Sequence, residues 1–313
     1  MFKVFKYNPN ENTKKILTLK KKHLLRVHYQ DFMIFFTFLL FWISIQFGQI
    51  IEDSIAYVIV LSIGIIHGSN DFTILKKQQK NTTSFLKSTA FYLFLIILCI
   101  VSYLIHPFIS FLFFIILSSY HFGEQHLEDK ISGSKVLKSM LYTAYGMLIF
   151  SLIFIENLKD VEVVMRNLTG KIIPNSWIET MLVTSSLLLI TLTAYLFTRK
   201  VKPNIQIVRE LFYVLLLYLV FKTSSLIFGF AIYFVLWHSI PSILDQTKFL
   251  SGGYTFKTIL EYLKTAFVYW LISITGLVVA YYYLSESLFN SIIFIVLFAV
   301  TAPHVWVMNR MKQ

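Results

Sequence analysis

The chain has 313 residues, of which 57% are hydrophobic and only 14% charged, with a mean hydropathy of +0.69 and 31 phenylalanines. This composition excludes an ordinary water-soluble domain, in which about a quarter of the residues are charged. The formal charge of +12 fits attraction to an anionic membrane surface and, on a chain this apolar, does not point to nucleic acid.

Residues 1–31 carry eight Lys and Arg and no apolar core, so they read as a basic cytoplasmic tail and not as a cleavable signal peptide. Apolar runs follow at 32–51, 54–75, 85–105, 107–122, 136–155, 177–197, 205–221, 226–244, 265–284 and 288–308. Each is near the length of about 20 residues that a helix needs to cross a hydrocarbon core. Lipid cannot satisfy free backbone groups, so these runs read as helices. The expected fold is an all-α polytopic membrane protein of eight to ten spans, ten being the best fit, with residues 32–313 as one integral-membrane domain. Polar residues interrupt the second span, and the fourth is short. The first span, at 32–51, reads as an uncleaved signal-anchor.

Cytoplasmic loops accumulate Lys and Arg. With ten spans and both ends in the cytoplasm, 24 of them fall on cytoplasmic segments and only 4, Lys159, Arg166, Lys171 and Lys222, fall outside. That asymmetry supports the ten-span topology and a multi-pass location in the cell membrane.

Cys99 is the only cysteine, which excludes an intrachain disulfide and a thiolate cluster. Any metal must therefore be held by nitrogen and oxygen. Of the eight histidines, His23 and His28 lie in the basic tail and His106 at an outer turn, "LIHPF", where solvated or interfacial roles suffice. The rest occur in four tight settings: "GIIHGSNDF" with His67, "SSYHFGEQH" with His121 and His126, "LWHSIPSILDQ" with His238, and "TAPHVWVMNR" with His304.

His67, His121, His238 and His304 lie on the second, fourth, eighth and tenth spans, which all run from outside to inside. They occupy positions 14, 15, 13 and 17 of those spans. At about 1.5 Å per residue they share one layer roughly 20 to 25 Å below the outer surface. A lone intramembrane histidine commonly just bonds two helices together. Four at one depth can face one point, and this favours a shared metal site.

Imidazole suits Zn, Cu, Fe and Ni, and four imidazoles without a thiolate are not a usual structural zinc set. Fe(II) held by four histidines would keep two positions open for dioxygen or substrate. The aromatic content of 17% fits a greasy substrate, although interfacial belts and packing account for most such rings. Carboxylates commonly orient a ligating imidazole through its other nitrogen. Asp71 follows His67 by one helical turn, Glu124 follows His121 by three residues, and Asp245 follows His238 by seven. A helix-end role is the competing reading for each. Pro241 and Pro303 flank His238 and His304 and predict opened backbone there.

The set "HGSND", "YHFG", "WHSIPS" and "APH", in this order over residues 63–308, resembles the Brp/Blh family of membrane β-carotene 15,15'-dioxygenases. The resemblance implies a catalytic membrane domain with Fe(II) on His67, His121, His238 and His304, cleaving β-carotene at its central double bond with dioxygen to two all-trans retinal. The retinal would supply the chromophore of a microbial rhodopsin. Two departures matter: His126 stands where family members often have aspartate, and Ser242 stands where some have a further histidine. The fourth ligand is thus left between His304 and His126, with His126 in reserve.

Three other classes stay open. A membrane di-iron oxygenase acting on another lipid needs more histidines, and the chain has no HxxHH pattern. A non-catalytic carotenoid- or retinal-binding protein needs the aromatic residues but not four histidines at one depth. A transporter is expected to show inverted repeats or charged midplane residues, and neither is evident.

Overall fold

The structure is a computed structural model that describes residues 29–79, 81–199, 203–284 and 286–312. Most of the basic tail, with His23 and His28, lies outside the described residues. The helices are α1 (Tyr29–Gln46), α2 (Gln49–Gln78), α3 (Thr82–Ile105), α4 (Pro107–Leu127), α5 (Lys135–Glu156) and α6 (Leu158–Thr169). They continue with α7 (Asn175–Thr198), α8 (Ile207–Thr223), α9 (Leu226–Ser251), α10 (Phe256–Tyr283) and α11 (Glu286–Met311).

Nine of these helices are long and apolar enough to cross a membrane among the described residues. The seventh expected span is present as α8, which has 17 residues and is shorter than any of these nine. The fold is therefore all-α with at least nine candidate spans. The short fourth run gains a polar last turn and becomes a helix of 21 residues, α4. Helix α6 was not expected. It is amphipathic and packs Val161, Met165 and Leu168 onto the bundle before Gly170 ends it at a φ of 67°.

Local chemistry sets the breaks. A residue before proline is pushed out of the helical region, and His106, before Pro107, has φ −139° and ψ 76°, which separates α3 from α4. Ser134, Ser225 and Thr255 cap α5, α9 and α10 by accepting backbone N–H groups. Gly252, at φ 77°, ends α9.

Helices α2, α4, α9 and α11 run in one direction. The starts of α2 and α9 are tied by the Ser225 backbone N–H, which donates to Glu52 at 2.7 Å. Near the starts of α4 and α11, the Phe111 and Phe294 rings stack at 5.6 Å. At the other end Lys77 donates to the Leu250 carbonyl at 2.7 Å, Gln125 to Asp245 at 2.7 Å, and Lys312 lies 3.5 Å from Glu124.

The tightest contact positions His121. A Cβ on Gly123 would lie 1.9 Å from the Tyr142 carbonyl oxygen, and one on Gly146 would lie 2.0 Å from that of Ser119. Backbones thus meet directly where α4 crosses α5, the small-residue contact by which helices pack in lipid. Gly123→Val is expected to lower unfolding stability in detergent by about 3 kcal/mol or more, because neither backbone can yield. Gly276→Ala, where a Cβ meets nothing within 4 Å, is expected to be neutral or slightly stabilising in the same thermal melt.

Candidate metal centre

Irregular turns adjoin two of the four histidines, and the proline signal in the sequence covered only the one at His238. A π-helical turn, Val60–Gly64, precedes His67, and a second, Tyr233–Ser239, contains His238. The second has a clear cause. Pro241 lacks the N–H that would bond the Trp237 carbonyl, so the ladder ahead of it widens. The two turns pack together at Gly64, where a Cβ would come within 2.8 Å of the Phe234 ring.

The helices bring His67, His121, His238 and His304 into one closed ring. Centroids of successive imidazoles are 5.2 Å apart for His67 and His238, 4.6 Å for His238 and His121, 5.1 Å for His121 and His304, and 4.8 Å for His304 and His67. Each ring stands nearly perpendicular to the next, at 74° to 84°. All four are buried, with 7%, 2%, 1% and 3% of their surface exposed in order of sequence. One nitrogen from each of His67, His121 and His304 falls within 4.8 Å of the others.

Hydrogen bonds fix which nitrogens face the middle. His67 Nδ1 lies 2.6 Å from the Gly64 carbonyl oxygen, which can only accept, so Nδ1 carries the proton and Nε2 keeps its lone pair. His304 Nδ1 donates to Asp71 at 2.9 Å, and His304 Nε2 is buried without a partner. Neither ring nitrogen of His121 or of His238 has a hydrogen-bond partner. A buried polar atom left unpaired costs about 1–3 kcal/mol. Five such nitrogens on three adjoining rings are a poor packing core, and each ring can turn one of them to a shared ion.

The converging nitrogens of His67, His121 and His304 fit a single transition-metal ion, and the spacing of the His238 ring suits a fourth ligand. An ion about 2.1 Å from each ring nitrogen lies roughly 3.2 Å from each centroid, which places neighbouring centroids about 4.5 Å apart in a square and about 5.2 Å in a tetrahedron. The observed separations, 4.6 to 5.2 Å, span that interval.

The remaining expected residues divide. Asp71 is 1% exposed and serves His304, not the His67 one turn before it. The helix breaks at residues 69–70, which turns Asp71 away from the His67 face. Its second oxygen accepts from Tyr92 at 3.0 Å. The freed His67 carbonyl accepts from Gln246 at 2.9 Å, and Tyr262 holds Gln246 at 2.8 Å. Glu124 lies 3.7 Å from His121, beyond hydrogen-bond length. Asp245 accepts from Gln125 and touches no histidine of the ring among the contacts found. His126 is not brought to the ring: it stacks on Tyr145 at 4.4 Å and bonds Glu210 at 2.7 Å. His106 is exposed at the turn before α4.

Aromatic rings cover His67 and His238. Phe122 lies 4.7 Å from His238, and Phe234 lies 5.4 Å from His67 and 5.8 Å from His238. Tyr92, Gln246 and the Gly64 carbonyl carried no signal in the sequence, because each reaches its partner only through helix packing.

Fold and site together define a multi-pass helical membrane protein with a buried all-histidine centre. A family model described as Beta-carotene 15,15'-dioxygenase matches residues 58–312, most of the chain and all four histidines. The chain belongs to that family. No curated protein and no solved structure matches it.

Asp71→Asn keeps the shape of the side chain and removes the charge that orients His304. It is expected to weaken metal binding by about 10- to 100-fold, measured as metal retained after dialysis against a graded chelator.

Proposed function

We propose that this chain cleaves β-carotene at its central 15,15' double bond with dioxygen, giving two all-trans retinal, and that it does so with Fe(II) held by His67, His121, His238 and His304. The observation that carries the reading is the closed ring of four buried imidazoles on the segment that matches the dioxygenase family. Bound there, Fe(II) would supply the redox chemistry that makes dioxygen reactive toward an electron-rich double bond.

The chain's own residues do the rest. The Gly64 carbonyl and Asp71 keep the protons of His67 and His304 on Nδ1, so that the lone pairs face inward. Phe122 and Phe234 flank the imidazoles with apolar surface, which excludes water and offers faces against which a polyene can lie. Adding one dioxygen across one double bond to give two aldehydes neither takes up nor releases a proton. No acid or base is required, and Asp71, the carboxylate hydrogen-bonded to the ring, serves His304 and Tyr92.

β-Carotene is wholly apolar and dissolves in the bilayer, so it reaches the centre from the side, between helices. Retinal made in the cell membrane would be available to a rhodopsin in the same bilayer.

The test is expression in cells that make β-carotene, with retinal and residual carotene quantified in extracts. The wild type is expected to accumulate retinal, while His238→Ala and His67→Ala lose at least about 1,000-fold in turnover because each removes a ligand that orients the reacting centre. Chelation of the purified protein is expected to abolish activity and Fe(II) to restore it. Intact carotene together with a chain that binds no iron would defeat the reading.

A further inference from the structure

A hydrated divalent cation cannot reach a ring this buried through lipid, so a polar way in from water is required. The described residues hold a cavity of about 700 Å³ at the end of the bundle where α4, α9 and α11 finish. Its wall includes Trp237 and Pro241, which flank His238 in sequence, and carries the carboxylates Glu128, Asp129 and Asp245 together with Lys130, Lys248 and Lys312. Lys312 is what connects this cavity to the ring. Its Nζ is buried without a hydrogen-bond partner and lies 3.5 Å from Glu124 Oε2. That same oxygen, also unpartnered, lies 3.7 Å from His121 Nδ1. The Glu124 side chain is only 4% exposed. Cavity, ammonium, carboxylate and imidazole therefore follow one another without a gap.

From this we infer that the cavity is the loading route for the divalent metal ion and that Lys312 is its gate. The inference rests on the metal-centre reading above. Glu124 and Asp245 are hard oxygen donors that attract a divalent cation arriving from water and pass it toward His121. The Lys312 ammonium occupies the cation position between the cavity and Glu124, so it repels the incoming ion and must swing aside. Once the ion is seated, the same charge opposes its escape. Lys312 and Glu124 are thus kinetic elements, and neither belongs to the ligand set.

The experiment follows uptake and chelator-driven release of cobalt(II), which imidazole binds well, in the purified full chain. Lys312→Met keeps the stem and removes the charge. It is expected to speed both uptake and release by about tenfold or more, with the same number of ions bound. Lys312→Gln repeats the test with a different side chain. Asp245→Asn is expected to slow uptake, while Lys222→Met, on the last turn of α8, leaves both rates unchanged. Lys312 variants with wild-type rates and one ion bound would overturn the gate alone. A wild-type chain that takes up no cobalt would overturn the metal reading and the gate with it.

Discussion

Four imidazoles buried against one another at the meeting point of four helices constrain everything around them. Left to themselves these groups would be driven apart or toward solvent, since each unpaired nitrogen carries a desolvation cost that nothing in the ring repays. They stay together because four helices running in one direction are clamped at both ends. Glu52 with Ser225 and Phe111 with Phe294 hold one end, and Lys77 with the Leu250 carbonyl and Gln125 with Asp245 hold the other. A cation shared by the four rings, as proposed, would turn this cost into stability.

The rest of the site serves their orientation. Direct backbone contact at Gly123 and Gly146 fixes α4 against α5, two residues from His121. The two π-helical turns shift His67 and His238 relative to a regular ladder, and Gly64 lets those turns touch. The break at residues 69–70 frees Asp71 to cross from α2 to α11, joining Tyr92 and His304 in one chain of bonds. Irregular backbone is tolerated at such depth only where protein satisfies it, and here Gln246 satisfies the His67 carbonyl.

Much of this was legible in the sequence. Span lengths gave the helices, and the rise per residue placed four histidines in one layer before any packing was known. Charge on the intervening segments chose a topology in which those four spans are parallel, and the helix directions agree. Other features were not legible, for physical reasons. Asp71 was matched to His67 by helical spacing, and a two-residue break undid that spacing. Pro241 signalled an irregular turn without revealing that it would be π-helical. The amphipathic α6 was passed over because it is short and its buried residues, Val161, Met165 and Leu168, cover only one face. His126, equal to His121 by residue type, belongs to a charged cluster with Glu210 because five residues along the helix turn it roughly 140° to another face.

The central claim is that one iron sits among four imidazoles. X-ray absorption at the iron edge, combined with metal analysis of the purified protein, addresses it directly. The account predicts about one iron per chain in a shell of nitrogen and oxygen only, with the outer-shell scattering of four imidazoles. Two irons per chain, or a shell with no more than two imidazoles, would contradict it.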